Sequence, residues 1–169
     1  MREEQGDSGG NGSGIYLNNC TSASVISNIV SNTTGGIGGI GDPNNGTNGT
    51  GIGIWCSASS GNLCYNNFCC NNTDNAYDNG NNRWNITKTL GRNIIGGPYL
   101  SGNFWDDYNG IDSDHDGLGD TPYNISGGNN HDEHPLVILN YPPIFSSPSP
   151  SNSSSDNPLS ITWSIPIND

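Results

Sequence analysis

Four carboxylates at close, regular spacing carry the most specific chemistry in this chain. Asp112, Asp114, Asp116 and Asp120 follow the pattern D-x-D-x-D-G-x-x-D. Alternate acidic side chains wrap a hard divalent cation, a glycine after the third permits the sharp turn, and a main-chain carbonyl at Leu118 supplies a further oxygen. Ca2+ is the expected ion, because it accepts six to eight oxygens in flexible geometry whereas magnesium retains its waters. Where the helix-flanked calcium loop ends in a bidentate Glu, this chain has Tyr123, and Pro122 disfavours an exiting helix. The expectation is a calcium loop without flanking helices. A solvated acidic turn is the alternative, since Asp-Gly marks turns by itself. Mutual repulsion of the carboxylates favours the ion. Its role would be structural, for no nucleophile or general base stands beside it.

Other residues admit weaker chemical readings. His131-Asp132-Glu133-His134 offers donors to a transition metal, but adjacent side chains diverge, and a polar turn is the simpler reading. Asp106 and Asp107 suggest a glycosidase pair, yet neighbours in sequence do not flank a sugar from both sides. Trp55, Trp84 and Trp105 could stack on sugars or close the ends of a thin core. The cysteines Cys20, Cys56, Cys64, Cys69 and Cys70 show no paired C-x-x-C spacing, which argues against zinc. They are disulfide candidates or buried thiols, and their odd number leaves one free or bonded to another chain. N-x-S/T sequons stand at Asn11, Asn19, Asn32, Asn45, Asn48, Asn71, Asn85, Asn124 and Asn152. With possible disulfides and a calcium loop, they point to an extracellular, cell-surface protein carrying covalent glycans.

The elements that must position these residues are short. With 4 Lys+Arg against 16 Asp+Glu, the net charge of -12 excludes nucleic acid and anionic membrane surfaces as partners. No transmembrane run exists, so membrane insertion is not expected. The hydrophobic fraction is 30%, too little for a thick two-layer core, while Asn, Gly, Ser and Thr separate small apolar residues. Gly14-Ile15-Tyr16-Leu17 matches Gly51-Ile52-Gly53-Ile54 at an offset of 37 residues, with a one-residue gap needed further on. Between the copies lies the Gly/Asn-rich insertion Gly35 to Thr50. Period-two alternation at Ile15/Leu17 and Ile52/Ile54 predicts strands, and Gly and Asn supply the corners. Stacked rungs with inward Ile, Val, Leu and Phe and with laddered Asn side chains indicate a parallel β-helix. A small β-sandwich fits less well, because no long alternating strands pair as hairpins.

Asn-x-Leu/Ile-x-x-Asn-x-Phe units lead into Gly102-Asn103-Phe104-Trp105-Asp106-Asp107-Tyr108, then Asp112 to Asp120, Thr121-Pro122-Tyr123-Asn124-Ile125 and His134-Pro135-Leu136. This run resembles the carboxy-terminal end of NosD-like right-handed parallel β-helix repeat proteins, abundant on the surfaces of methanogenic archaea. The resemblance spans roughly residues 14 to 140. It implies an extracellular or periplasmic repetitive protein, some relatives binding carbohydrate or helping to deliver metal, and a calcium role for Asp112, Asp114, Asp116 and Asp120. The cysteines, the insertion and the short repeat array depart from the family pattern.

The expected fold is all-β: a short right-handed parallel β-helix with a calcium-loop segment and a detached C-terminal strand. Residues 1–13 read as a flexible lead-in, 14–105 as rungs, and 106–140 as calcium loop and closing strand. Residues 141–158 form a Pro/Ser linker and 159–169 a strand. In that strand Leu159, Ile161, Trp163 and Ile165 alternate with polar residues, as in the first strand of an immunoglobulin-like domain. Polar Met1-Arg2-Glu3-Glu4-Gln5 shows no signal-peptide pattern, so a secreted product would be an internal or processed piece. An uncapped first rung and an unpartnered strand predict a homopolymer: a non-enzymatic subunit of an extracellular filament, sheath or surface layer. The alternatives are a carbohydrate-binding adhesin module and a polysaccharide lyase or hydrolase. For the latter, Arg83, Lys88 and Arg92 are the few basic residues near the late coil.

Overall fold

The computed structural model describes residues 5–139 and the strand pairs at 144–145 and 167–168. All regular structure among the described residues is β, and no helix there is long and apolar enough to cross a membrane. The first rung holds β1 (Gly12–Asn18), β2 (Ser24–Ile26) and β3 (Ile29–Ser31). The second holds β4 (Gly51–Ser57), β5 (Ser60–Tyr65) and β6 (Phe68–Cys70). A third begins with β7 (Asp74–Asp78) and β8 (Asn81–Arg83). It is interrupted by the antiparallel pair β9 (Thr89–Leu90) and β10 (Tyr99–Leu100), and finishes with β11 (Phe104–Trp105). Like strands stack in parallel as β1-β4-β7, β2-β5-β8 and β3-β6-β11, so the chain visits three sheets in the same order on each pass. The architecture is β-helix-like.

The register corrects the expected repeat. Ile15 lies on Ile54, Val25 on Cys64 and Val30 on Cys69, an offset of 39 rather than 37, and no gap is needed between the first two rungs. A shift of two keeps the same face inward, so the apolar alternation alone could not distinguish the two registers. Inward residues form columns: Ile15, Ile54 and Ala76; Leu17, Cys56 and Asp78; Val30, Cys69 and Trp105. Trp84 closes the column of Val25 and Cys64, and this narrow stack is the core.

Polar ladders hold the corners. Asn28 Nδ2 donates to Asn67 Oδ1 (3.0 Å), Asn67 Nδ2 to Asn103 Oδ1 (2.8 Å), and Asn103 to the Asp132 carboxylate. At a second corner Asn62 donates to Asn82 (2.9 Å) and Asn82 to Asp78 (2.8 Å). At the third, Asn72 donates to Asn75 (3.0 Å), and Asn75 to both Asp106 and Asp107. Every ladder is polarised the same way. An amide is both donor and acceptor, so a polarised ladder ends cleanly only on a group that solely accepts; an aspartate does so at each corner. Asn19, Asn32, Asn66 and Asn71 take left-handed backbone at the bends, which Asn tolerates better than most side chains.

The expected flexible lead-in is also corrected. Residues 5–11, 35–41 and 44–50 pack as three extended segments whose hydrogen bonds recur at every third residue. Gly6 and Gly9 donate to Asn44 and Thr47, Gly36 and Gly39 to Gly10 and Asp7, and Gly46 and Gly49 to Gly39 and Gly36. Period three is that of a polyproline II chain, and close packing of such chains admits only glycine at the axis. A Cβ on Gly9 would lie 2.0 Å from the Gly36 oxygen, and one on Gly49 2.0 Å from the Gly10 oxygen, whereas Gly10 faces open space. Gly49→Ala is therefore expected to destabilise this bundle by about 2 kcal/mol. Amide exchange should show lost protection at Gly6, Gly36, Gly39 and Gly46 with the sheets unaffected, and Gly10→Ala should leave the bundle intact.

Beyond β11, β12 (Tyr123–Asn124) pairs antiparallel with β13 (His131–Asp132), and Leu118 bridges to Leu136. This segment covers the third rung: Tyr123 stacks on Trp105 at 4.6 Å, Asp78 N donates to Ser126 O, and Leu136 N to Asn103 O. The first rung has no such cover among the described residues. Residues 140–169 form a separate unit. There β14 (Ile144–Phe145) pairs antiparallel with β15 (Ile167–Asn168). Leu159, Ile161, Trp163, Ile165 and Asn152 lie outside the described residues.

Candidate functional site

Asp112, Asp114 and Asp116 bring one carboxylate oxygen each to within 4.8 Å of one another. The loop that gathers them is closed by its own amides: Asp112 accepts from Asp116 N (3.1 Å) and Gly117 N (2.9 Å), and Asp116 from Leu118 N (2.8 Å). Gly117 takes the positive φ of 86° that the turn requires. Asp120 does not join the group. Its carboxylate accepts from Ser113 N (2.7 Å), which holds its pKa below the usual range. Leu118 is buried and bridged to Leu136, anchoring the loop to the covering segment. The Lys88 ammonium pairs with Asp116 and lies 4.3 Å from the Tyr99 ring centre, bringing a positive charge to the triplet. Hydrogen bonding to Asp116 raises the Lys88 pKa.

The other candidates are placed by packing. Asp106 and Asp107 both accept from Asn75 Nδ2 at 2.8 and 2.7 Å, so they end a ladder on one side rather than flanking a cleft. His131 Nε2 meets Glu133 at 2.7 Å, and this bond is the main cause of its raised pKa. Asp132 points the other way, fully buried, and accepts from Asn103 N (2.7 Å), Trp105 Nε1 (3.0 Å) and His134 N (3.2 Å). The His-Asp-Glu-His run therefore does not converge. Trp84 and Trp105 are core residues, each donating its indole N–H to a buried aspartate, Asp78 and Asp132. Trp55 lies on the outer face of its sheet between Tyr16 and Tyr77, with ring centres 4.9 and 6.1 Å away. Asn ladders were expected, but their members and the aspartates that end them were not; the signal was Asn28 and Asn67 recurring at 39.

Cys56, Cys64 and Cys69 are fully buried inward residues of the second rung, and Cys20 and Cys70 are half-buried. A hydrogen bond with Cys56, then burial, pushes the Cys64 thiol far above its usual range; burial does so at Cys69. Among the sequon residues, Asn45 and Asn48 accept from Gly41 N and Gly38 N, and Asn11 from Thr50 N, within the glycine bundle. Asn19, Asn32, Asn71 and Asn124 are exposed, and Asn85 is half-buried.

Parallel three-stranded sheets visited in turn, amide ladders at the corners and a covering segment with a carboxylate loop define an all-β protein of the β-helix type. A profile of the family described as periplasmic copper-binding protein (NosD) matches residues 4–110, more than half of the chain, and the chain belongs to that family. That description sets the family outside the cytoplasm. The match ends before Asp112, so the carboxylate loop lies beyond it. Comparison with curated proteins and with solved structures returned no match. Copper favours imidazole and thiolate donors. Among the described residues the Asp triplet is the only group of three ionisable donors that converges, and its hard oxygens do not fit copper.

Proposed function

We propose that the chain is a structural module outside the cytoplasm, a right-handed solenoid that assembles with further copies of itself through its first rung. One observation carries this reading: β1, β2 and β3 are all edge strands with no neighbour on their outer side among the described residues, while the third rung is covered. Unpaired strand edges are templates for pairing with another chain. Asn28 commits its Nδ2 to Ile26 O and Asn67, so its ladder begins with an acceptor facing outward. A hollow of about 330 Å³ lined by first-rung residues, among them Gly14, Ile15 and Val30, opens there, with Ile29 73% exposed beside it. A second copy presents the same edges and apolar rim. One open end supports pairing of first rungs; growth into a filament, sheath or surface layer needs a second contact. Light scattering and electron microscopy over a concentration series test this, and a monomer at every concentration would overturn it.

Calcium at Asp112, Asp114 and Asp116 would rigidify the covering segment, with glycans on the exposed sequons shielding the sides. Millimolar calcium is expected to raise the unfolding midpoint, by a stabilisation of about 2.7 kcal/mol when the ion stands at a hundred times its Kd. Asp114→Asn should remove most of that shift. Calorimetric titration without a heat of binding would exclude the ion.

The outward column Tyr16, Trp55 and Tyr77, with Tyr16 half exposed, favours carbohydrate binding as a second reading, because sugars stack on such rings. A glycan array separates the two, since a purely structural module binds none with specificity.

A further inference from the structure

Five asparagines in this chain stand directly before a glycine: Asn11, Asn45, Asn48, Asn79 and Asn109. The pairing matters chemically, because a glycine nitrogen has no neighbouring Cβ to hinder its approach to the preceding carboxamide carbon. In four of the five, both groups are committed. Asn11 Oδ1 accepts from Thr50 N (2.8 Å), Asn45 from Gly41 N (3.1 Å), Asn48 from Gly38 N (3.0 Å) and Asn79 from Ala58 N (2.8 Å). The glycine after each is tied as well. Gly12 N donates to Thr50 O, Gly46 N to Gly39 O, Gly49 N to Gly36 O, and Gly80 N to Asp78 Oδ1. Asn109 and Gly110 differ. Asn109 is exposed, the pair lies outside any strand or turn, and neither its carboxamide nor the Gly110 N–H has a hydrogen-bond partner among the described residues.

We infer that Asn109–Gly110 is a self-modification site, at which the folded chain converts a side-chain amide into a carboxylate. The Gly110 nitrogen, having given up its proton, attacks Asn109 Cγ. The bond from Cγ to the side-chain nitrogen breaks, and that nitrogen leaves as ammonia, carrying the proton away. The product is a five-membered succinimide. Water then adds to one of the two ring carbonyls. Opening at the side-chain carbonyl gives aspartate, and opening at the main-chain carbonyl gives isoaspartate. One water is consumed and one ammonia released, with nothing oxidised or reduced. In isoaspartate the main chain runs through the former side chain and is one methylene longer. That methylene falls between two anchored points: Tyr108, whose hydroxyl donates to Thr121 O (2.7 Å), and Asp112, which accepts from Asp116 N and Gly117 N. Either product adds a negative charge just ahead of the carboxylate triplet. At the other four sites ring closure must first break two hydrogen bonds, which slows it by about tenfold or more.

The test holds the folded full chain in mildly alkaline buffer made with heavy-oxygen water and samples it over weeks. Peptide mapping by mass spectrometry, after digestion in acid to halt the reaction, locates each conversion, and electron-transfer fragmentation tells isoaspartate from aspartate. Conversion is expected at Asn109, with heavy oxygen incorporated, about tenfold or more faster than at Asn11, Asn45, Asn48 or Asn79. In denaturant the five should convert at similar rates. Asn109→Gln should abolish the acidic band that grows on isoelectric focusing, because glutamine would have to close a six-membered ring. An Asn109 that survives in the folded chain while the denatured chain converts would overturn the inference. So would equal rates at any of the other four sites, or the same preference for Asn109 in denaturant. None of these readouts depends on whether copies assemble or a cation binds.

Discussion

Asn67→Leu is expected to lower the stability of the coil by about 3–5 kcal/mol, read as a shift in the urea midpoint at unchanged slope. Leucine matches asparagine in size and would suit an apolar core, so volume is not the cause. Asn67 is fully buried at the middle of its ladder. Its Oδ1 accepts from the backbone and side-chain nitrogens of Asn28, and its Nδ2 donates to Asn103 Oδ1, Val25 O and Tyr65 O. Removing the amide leaves the Val25 carbonyl and the Asn28 N–H without partners at a corner water does not reach freely. Each such buried orphan costs about 1–3 kcal/mol. Asn28→Leu supplies the comparison. Asn28 is half-buried at the open end, where solvent can replace it, and its loss should cost less than about 1 kcal/mol. Equal losses at the two positions would mean that the ladder does not tie the rungs together.

The same ladder shows what could be read from the residues and what could not. Alternation at Ile15/Leu17 and Ile52/Ile54 identified inward faces and parallel stacking, because period two survives any even shift of register. It could not choose 39 over 37. The choice rests on polar residues: Asn67 beneath Asn28, Asn62 beneath Ala23 and Asn72 beneath Thr33, where each lower carboxamide accepts the upper backbone N–H. That pattern is invisible to an apolar count. The glycine-rich stretches were legible as a departure but not as structure. Their order arises only when three distant segments meet, and composition alone reads Gly6 to Gly10 as a linker. In the acidic loop, spacing identified Asp112, Asp114 and Asp116 as convergent. The Asp120 carboxylate stands apart from that triplet and closes the loop on Ser113 N, a contact that spacing does not reveal.

Asp132→Ala is expected to be among the most damaging single substitutions, at about 3–5 kcal/mol, because it withdraws the acceptor on which one ladder and the covering segment both end. Asn103 N, Trp105 Nε1 and His134 N would each lose their partner in a site with no solvent exposure. Asp132→Asn is the informative companion. It keeps an oxygen for Asn103 and Trp105 but turns an amide donor toward His134 N, so it should cost only about 1–3 kcal/mol. The two variants also separate the charge from the shape. Burial pushes the Asp132 carboxyl up to about 7, against the pull of the N–H donors of Asn103, Trp105 and His134. An unfolded aspartate titrates near 3.9. The folded state therefore holds a proton more tightly, and its contribution to stability is fully present below about pH 4, falls as pH rises toward 7, and is flat above. Within that window the slope is at most about 1.4 kcal/mol per pH unit for one proton. Asp132→Asn cannot titrate, so the difference in unfolding free energy between wild type and this variant should shrink between pH 4 and 7. A difference that is constant, or that grows with pH, would mean that Asp132 is ionised throughout and that its donors outweigh its burial.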